Sequence, residues 1–432
     1  METRTGPRRG VTPLKNRSPH VQEAEAPEAD DPPLRPELDA VLRAVSMACT
    51  ECMACVRQCG FLERHGSPRS LADCCTPSDP AGLTLAYACS LCGLCTSVCS
   101  HGVDPASLFL EMRREAVERG AGPLREHSGL LAFERRGASS RYSFHALPEG
   151  CDTVFFPGCT FTGTRSEAVL ALQERLEASV PNLGIVLDCC TKPSHDLGRD
   201  EYFRTMFGEL RDNLVRGGIR TVLVACPNCY KVFQRYGGAL QVRSIYELLA
   251  ERGGPDLPPL VGTVTVHDPC VIRDVSHVRD SARTLLRGTG LQVQEMQSTG
   301  RKTLCCGEGG GVGLVDPELA QSWGRRRRTE ANGHRVVTYC AGCAAQLGRH
   351  VPTSHVADLL LDREAALDGR ARVARPPFTY WKRLRMKRTL QGRMTGARTL
   401  ARRHRSPGGI LGVALVAAVA VVHTLLRLWR AL

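Results

Sequence analysis

The chain has 432 residues, enough for about two to four domains with cores of their own, which excludes a peptide-scale or a collagen-like protein. Its 21 cysteines occur in tight clusters, which favours metal ligation over disulfide bonds. The net charge of +13 is uneven: residues 370–432 hold 15 of the 57 lysine and arginine residues and no acidic residue, which leaves 42 basic against 44 acidic residues elsewhere. This nearly neutral body argues against nucleic-acid binding.

The N-terminal part is predicted to comprise a disordered tail, 1–36, a cysteine-rich domain, 37–120, and a connector, 121–150. The tail has too few large apolar side chains to build a core. No apolar stretch typical of a signal peptide opens the sequence, so we expect a reducing, cytoplasmic compartment. Apolar residues at helical spacing predict a helix from Pro105 to about Arg119 that closes the cysteine-rich domain.

Two copies of the motif CxxCxxCxxxC lie in the 37–120 domain. Three thiolates spaced by three residues can reach three irons of one [4Fe–4S] cubane, while the fourth serves the other cluster. The spacing therefore predicts two cubane clusters with crossed ligand sets, which are Cys49, Cys52, Cys55 and Cys99 for the first and Cys89, Cys92, Cys95 and Cys59 for the second. A four-thiolate zinc site is the alternative, although such sites normally use two separated CxxC pairs. Cys74 and Cys75, between the motifs, are expected to be free thiols.

From residue 151 onward, short β-branched runs alternate with helical stretches, which predicts α/β layering. The predicted strands are Thr153–Phe156, Gly184–Leu187, Thr221–Val224, Thr263–Val266 and Arg335–Thr338. The cysteine pattern repeats at offsets of 111 to 116 residues. The repeat predicts two homologous cysteine-rich lobes, 151–255 and 256–368.

Each lobe contains a single cysteine, then a CC pair, then a CxxC motif. The candidate metal ligands are Cys159, Cys189, Cys190, Cys226 and Cys229 in the first lobe, and Cys270, Cys305, Cys306, Cys340 and Cys343 in the second. Several of them follow predicted strands, and the carboxyl ends of parallel strands are where the sites of open α/β sheets assemble. Five thiolates exceed the four ligands of tetrahedral zinc, so an iron–sulfur cluster is favoured.

The C-terminal end is predicted to consist of a basic juxtamembrane segment, 369–407, and a transmembrane helix, 408–426. The latter has 19 residues without a charge, just long enough to cross a bilayer as a helix. Positive charge lies mainly before it, which predicts a single-pass protein of the cell inner membrane with its body on the cytoplasmic side. A buried core helix or an interfacial helix is the alternative.

The tandem CxxCxxCxxxC motifs followed by two lobes of the pattern C, CC, CxxC resemble the cysteine-rich (CCG) domain iron–sulfur oxidoreductases, over about residues 40–365. This family includes fused heterodisulfide reductase catalytic subunits and the iron–sulfur subunits of glycerol-3-phosphate and glycolate dehydrogenases. We therefore expect an α+β multidomain protein, with a helical ferredoxin-like domain for two [4Fe–4S] clusters, two homologous α/β cysteine-rich lobes and the C-terminal transmembrane helix. The resemblance also implies one or two noncubane [4Fe–4S] clusters in the lobes.

These features lead to three functional hypotheses. The first is a membrane-tethered electron-transfer subunit that relays electrons between a flavin-dependent dehydrogenase and a cytochrome b/quinone acceptor, with the lipid bilayer as a further partner. The second is a heterodisulfide or disulfide reductase with a noncubane cluster in the second lobe. The third, a zinc nucleic-acid-binding protein, is disfavoured by the neutral body. The sequence assigns no catalytic residue.

Four positions in the lobes depart from the family pattern or allow an alternative interpretation. Thr191 stands where the second lobe has Gly307, and a β-branched residue resists the positive φ that glycine allows, so we expect an altered cluster site in the first lobe. Val271 follows Cys270 where the family often has histidine. The glycine-rich run 307–313 is interpreted as backbone around a cluster rather than a nucleotide loop. His267 is interpreted as a packed polar residue rather than a ligand.

Overall fold

The computed structural model describes residues 32–76, 79–253 and 259–403. Most of the tail predicted at 1–36 lies outside these residues, as does the transmembrane helix predicted at 408–426. The described residues form a helical N-terminal domain, two α/β lobes, and a C-terminal segment that packs on the first lobe.

The N-terminal domain is built from short helices around a core that includes Leu38, Phe61 and Phe109. Its α-helices are α1 Pro36–Ala48, α2 Gly60–His65, α3 Pro68–Asp73, α4 Pro80–Leu85, α5 Leu94–Val98 and α6 Pro105–Glu118, with 3₁₀ turns at Val56–Gln58 and Ala86–Ala88. Proline begins α1, α3, α4 and α6, where its missing N–H costs nothing. The side chain of Asp104 accepts the N–H of Ser107 and caps α6. The helix predicted from Pro105 is confirmed.

The first lobe contains a six-stranded sheet in the order β10-β1-β3-β2-β4-β5. Its strands are β1 Phe144–Leu147, β2 Thr153–Phe156, β3 Gly184–Leu187, β4 Thr221–Val224, β5 Gln241–Ser244 and β10 Arg398–Leu400. Its helices are α8 Cys159–Thr164, α9 Ser166–Glu177, α10 Lys192–Asp196, α11 Asp200–Arg216, α12 Pro227–Tyr236 and α13 Ile245–Glu251. Strands β3, β2, β4 and β5 are parallel, so their carboxyl ends share one edge.

The second lobe contains a parallel sheet in the order β7-β6-β8-β9, which matches the order β3-β2-β4-β5 of the first lobe. Its strands are β6 Thr263–His267, β7 Gln292–Gln294, β8 Arg335–Thr338 and β9 Thr353–His355. Its helices are α14 Ser276–Gly288, α15 Val312–Val315, α16 Pro317–Ala331, α17 Ala341–Leu347, α18 Val356–Leu361 and α19 Arg363–Leu367, with 3₁₀ turns at Cys270–Ile272, Gly300–Lys302 and Gly309–Gly311. All five strands predicted from the sequence are present, and the two lobes repeat one topology.

The segment predicted as a connector, 121–150, contains regular structure. After a 3₁₀ turn at Arg125–His127, helix α7 spans Ser128–Gly137 and is followed by β1, which pairs antiparallel with β3. The short elements are held by tertiary contacts, which a local sequence pattern does not contain.

Residues 369–403, the described part of the basic segment predicted at 369–407, fold onto the first lobe. Helix α20, Phe378–Arg393, packs against α8, and β10 pairs antiparallel with β1. Its arginines are not all solvated: Arg383 and Arg402 are 2% and 3% exposed. Burying a guanidinium requires fixed protein partners, so this part of the segment belongs to the lobe.

The predicted fold class needs one correction. No helix within residues 32–76, 79–253 and 259–403 is long and apolar enough to cross a membrane. The protein is therefore described as mixed α/β and multidomain, and the transmembrane helix at 408–426 is not retained. The single-pass inner-membrane localisation, which depended on that helix, is not retained either.

One buried arginine joins the three domains. Arg113, on α6, donates hydrogen bonds to the carbonyl oxygens of Ala86 (3.0 Å), Asp196 (2.7 Å) and Gly310 (2.9 Å), which belong to the N-terminal domain, the first lobe and the second lobe. The side chain is fully buried, and burial lowers its pKa. Because an unpaired buried guanidinium is costly, these bonds fix how the lobes meet the helical domain.

Candidate metal centres

The first thiol cluster lies near the surface of the N-terminal domain. One hollow is lined by Cys49, Cys52, Cys55 and Cys99, which are three cysteines of the first motif and the last of the second. Its loop takes left-handed backbone at Glu51 (φ 53°) and Met53 (φ 61°), which lets the chain curl around the hollow. The side chain of Cys52 is exposed. This first hollow therefore opens towards solvent.

The second thiol cluster lies deeper, against the second lobe. Its hollow is lined by Cys59, Cys89, Cys92 and Cys95, together with the ring of Trp323 from α16. The backbone is left-handed at Leu91 (φ 47°) and Gly93 (φ 68°), and the Leu91 N–H donates to the Cys89 Sγ at 3.3 Å. The structure thus brings together both crossed sets of four cysteines. Their role as cluster ligands stays a prediction.

Burial makes several thiols in the two hollows resist ionisation. Burial raises the pKa of Cys55 and of Cys59 to about 11, and it also raises the pKa of Cys89 and Cys95. Thiolates are the ligands of iron–sulfur clusters, and a bound metal deprotonates a coordinating thiol outright. Four sulfur donors around each hollow therefore fit a [4Fe–4S] cluster, and in the second hollow a backbone N–H also donates to one of the sulfurs.

The two lobes meet around a cavity of about 170 Å³. It is lined by nine of the ten predicted lobe cysteines, which are Cys159, Cys189, Cys190, Cys226, Cys229, Cys270, Cys306, Cys340 and Cys343. The Sγ atoms of Cys190 and Cys229 are 3.5 Å apart. Cys226 and Cys340 stand at the amino ends of α12 and α17, directly after β4 and β8. The strand ends therefore deliver the thiols of both lobes to one space.

The tenth cysteine, Cys305, lies behind this cavity and connects it to the N-terminal domain. Its thiol interacts with Cys270 and Cys306 in its own lobe and with Cys92 in the second hollow, and these interactions shift its pKa. The contact with Cys305, and then burial, raise the pKa of Cys92 well above its ordinary value. Close by, Arg273 Nη2 donates to the Cys92 carbonyl oxygen at 2.7 Å. A thiol contact thus joins the second hollow to the second lobe.

The first lobe keeps the loop geometry of the second at its CC pair. Thr191 adopts left-handed backbone (φ 52°), at the position where Gly307 has φ 93°. Thr191 is fully buried, so the surrounding structure holds it in a conformation that a β-branched residue resists, and the altered cluster site of the first lobe stays a prediction. A hydrogen bond with Cys189, together with the charge of the buried Arg383, lowers the pKa of Cys159 to about 7.

The glycine-rich run 307–313 follows the surface of the second hollow. A Cβ at Gly309 would lie 2.4 Å from the Ser90 carbonyl oxygen, and one at Gly310 would lie 2.7 Å from that of Cys89. Glycine is therefore needed for close approach of two backbones around the thiols. Val271 lines the central cavity as an apolar residue.

Two polar groups beside the second-lobe thiols were not assigned as ligands from the sequence: Glu308 was not singled out, and His267 was interpreted as a packed polar residue. A carboxylate oxygen of Glu308 lies within 4.8 Å of the thiols of Cys340 and Cys343, and burial raises its pKa to about 7. A ring nitrogen of His267 lies within 4.8 Å of the thiols of Cys306 and Cys343. The sequence feature that could have indicated Glu308 is that it is an acidic residue inside a glycine-rich run. For His267, the corresponding feature is its position at the end of a predicted strand.

Two family models match these regions. The cysteine-rich domain (CCG) matches residues 153–234 and again 264–348, and the 4Fe-4S dicluster domain matches residues 48–104. The chain therefore belongs to the iron–sulfur proteins that join a dicluster domain to paired CCG domains. It is an iron–sulfur oxidoreductase or electron-transfer subunit whose cofactors are [4Fe–4S] clusters.

Curated relatives share this arrangement at low identity. A component of the fumarate reductase (CoM/CoB) of Methanothermobacter marburgensis is 28% identical over 333 residues, covering 68% of this chain and 66% of the relative. A component of the dihydromethanophenazine:CoB–CoM heterodisulfide reductase of Methanosarcina barkeri is 25% identical, covering 60% and 72%. The EtfAB:quinone oxidoreductase of Syntrophomonas wolfei is 24% identical, covering 62% and 44%. The chain thus spans between about half and about three quarters of these relatives.

Proposed function

We propose that this chain is an electron-transfer subunit that relays electrons between a partner dehydrogenase and a cytochrome b/quinone acceptor. In this proposal Cys49, Cys52, Cys55 and Cys99 hold one cubane cluster, Cys59, Cys89, Cys92 and Cys95 hold the second, and the five cysteines of each lobe hold further iron–sulfur centres. Clusters bound there would carry electrons one at a time. The observation that carries the proposal is that each crossed set of four cysteines lines a hollow of its own.

The positions of the thiol sets support a direction from the surface inward. Cys52 is exposed, with Met47 (85% exposed) and Met53 (41%) beside it, so a partner can approach the first hollow. The second hollow is covered by Trp323 of the second lobe, and beyond it the thiols of both lobes face one cavity. Polarizable methionines at a surface suit a contact with a partner protein.

The test is an anaerobic preparation with iron analysis and electron paramagnetic resonance (EPR) during reduction. Two cubanes require about eight irons, and the lobes add to this number. Cys52→Ser should remove or convert only the signal of the surface cluster. Cys74→Ala is the matched control, because Cys74 is also an exposed cysteine of the same domain. Zinc in place of iron, or an unchanged spectrum in Cys52→Ser, would reject the assignment.

The central cavity also favours a second candidate, a heterodisulfide or disulfide reductase acting at the second lobe. Reduction of a disulfide takes two electrons and two protons and yields two thiols. Electrons would come from the iron–sulfur centres, and Glu308, which lines the cavity with a pKa near 7, can supply a proton. Disulfide reduction that persists at the wild-type rate in Cys305→Ser would count against this candidate.

A further inference from the structure

His267 is a buried polar side chain for which the described protein supplies no partner. It ends β6 and is 0% exposed. Within the described residues, neither its Nδ1 nor its Nε2 has a hydrogen-bond partner. Leaving buried polar atoms unsatisfied costs about 1–3 kcal/mol for each group, so native proteins rarely do it without a partner of another kind.

The surroundings of His267 indicate what that partner is. One ring nitrogen and the Sγ atoms of Cys306 and Cys343 all lie within 4.8 Å of one another, although no hydrogen bond joins the ring to either sulfur. An imidazole nitrogen that converges with two thiols without bonding to either of them is arranged as a ligand of a common centre. Imidazole nitrogen and thiolate sulfur are both ligands of iron.

The internal repeat provides a comparison within the same chain. Counting back 111 residues, the spacing between Cys270 and Cys159, places Phe156 at the position of His267. Phe156 is also fully buried at a strand end, and its ring packs edge-on against Phe233 with the ring centroids 5.2 Å apart. The fold therefore accepts an apolar ring at this position, and burial of a histidine in the second lobe is not required by packing.

We propose that a ring nitrogen of His267 is a ligand of the second-lobe iron–sulfur centre, beside Cys306 and Cys343, and that the first-lobe centre has no such nitrogen ligand. This inference rests on the proposed function in one respect, since it requires iron in the second lobe. With the neutral imidazole in place of one of the five second-lobe thiolates, the cluster carries less negative charge, which favours its reduced form, as in Rieske centres. The second-lobe centre is then the more easily reduced of the two.

The test uses anaerobic holoprotein in which only histidine carries nitrogen-15. Pulsed EPR, in whichever redox state makes the second-lobe centre paramagnetic, should show a strong histidine nitrogen coupling. His267→Phe copies the residue of the first lobe, so it should fold, lose this coupling and lower the reduction potential of one centre. His355→Gln is the matched control: His355 is fully buried at the end of strand β9 in the same sheet, and the variant should keep both properties.

The outcomes separate this inference from the proposed function. A second lobe that holds its iron but shows no histidine coupling would overturn the inference alone, as would a coupling that survives in His267→Phe. Zinc in the second lobe, or no metal there, would overturn the inference together with the assignment of an iron–sulfur centre to that lobe.

Discussion

The C-terminal segment is predicted to stabilise the first lobe through one buried ion pair. Arg402 Nε and Asp188 Oδ2 are 3.0 Å apart, and both side chains are 0% exposed. The other oxygen of Asp188 accepts the Cys189 N–H at 2.7 Å, and His145 Nε2 lies 2.7 Å from Oδ2. The ion pair thus holds the backbone at the first cysteine of the CC pair.

Arg402→Ala should destabilise this lobe strongly, because it leaves the Asp188 carboxylate buried without its cation. Removing one partner of a buried pair costs about 3–5 kcal/mol. For a unit of about 150 residues this corresponds to a fall of about 10 °C in the unfolding midpoint. The same variant should lose iron from the first lobe before the other sites, because the position of Cys189 is no longer fixed.

The assay is thermal unfolding of the anaerobic holoprotein, followed by circular dichroism, with iron content measured in parallel. Arg403→Ala is the control, since Arg403 is the exposed neighbour on the same segment. Adding Asp188→Asn to Arg402→Ala should recover part of the loss, because the buried charge is then gone. A midpoint of Arg402→Ala within about 2 °C of the wild-type value would refute the argument, since even 1 kcal/mol shifts the midpoint by more than this.

Two further predictions concern the second lobe and pH. Gly307 has φ 93°, and a Cβ there would lie 2.2 Å from the Ala320 carbonyl oxygen, so Gly307→Ala should lower the free energy of unfolding by about 3 kcal/mol and cause loss of iron from the second lobe. Thr191→Gly, at φ 52°, should lower the free energy of unfolding by less than about 1 kcal/mol. Equal iron contents in the two variants would contradict this prediction. Burial raises the pKa of Glu134 from 4.5 to about 7, so the native state binds the extra proton and stability falls as pH rises between these values. Glu134→Gln should flatten this decline between pH 4.5 and pH 7 in unfolding measurements, and an unchanged slope would contradict it.

The elements that were predictable from the sequence are those with local patterns. The strands Thr153–Phe156 and Thr221–Val224 are continuous β-branched and apolar runs, as expected for parallel strands covered on both faces. The cysteine motifs were predictable because a cluster imposes spacing on the chain that carries it. Even so, the spacing of the cysteines does not show that Cys305 interacts with Cys92 of the other domain.

The features that the sequence pattern did not reveal depend on distant partners. A run of arginines next to an apolar stretch is typical of a membrane protein, but Arg383 and Arg402 find carbonyl and carboxylate partners in the first lobe. Likewise Thr191 is held at positive φ by contacts that its own propensity opposes. In each case, contacts with residues distant in the sequence decide the local structure. A sequence pattern within one segment carries no information about such contacts.

The duplicated lobes are alike in topology but differ in what surrounds their thiols. The second lobe contacts the dicluster domain through Cys305 and Trp323, whereas the first is covered by the C-terminal segment and its buried arginines. Because Cys92 of the dicluster domain interacts with Cys305 and Cys270 of the second lobe, electrons from that domain should reach the second lobe first. If so, the first lobe exchanges electrons through the shared cavity, and blocking the cavity should slow its reduction without affecting that of the second.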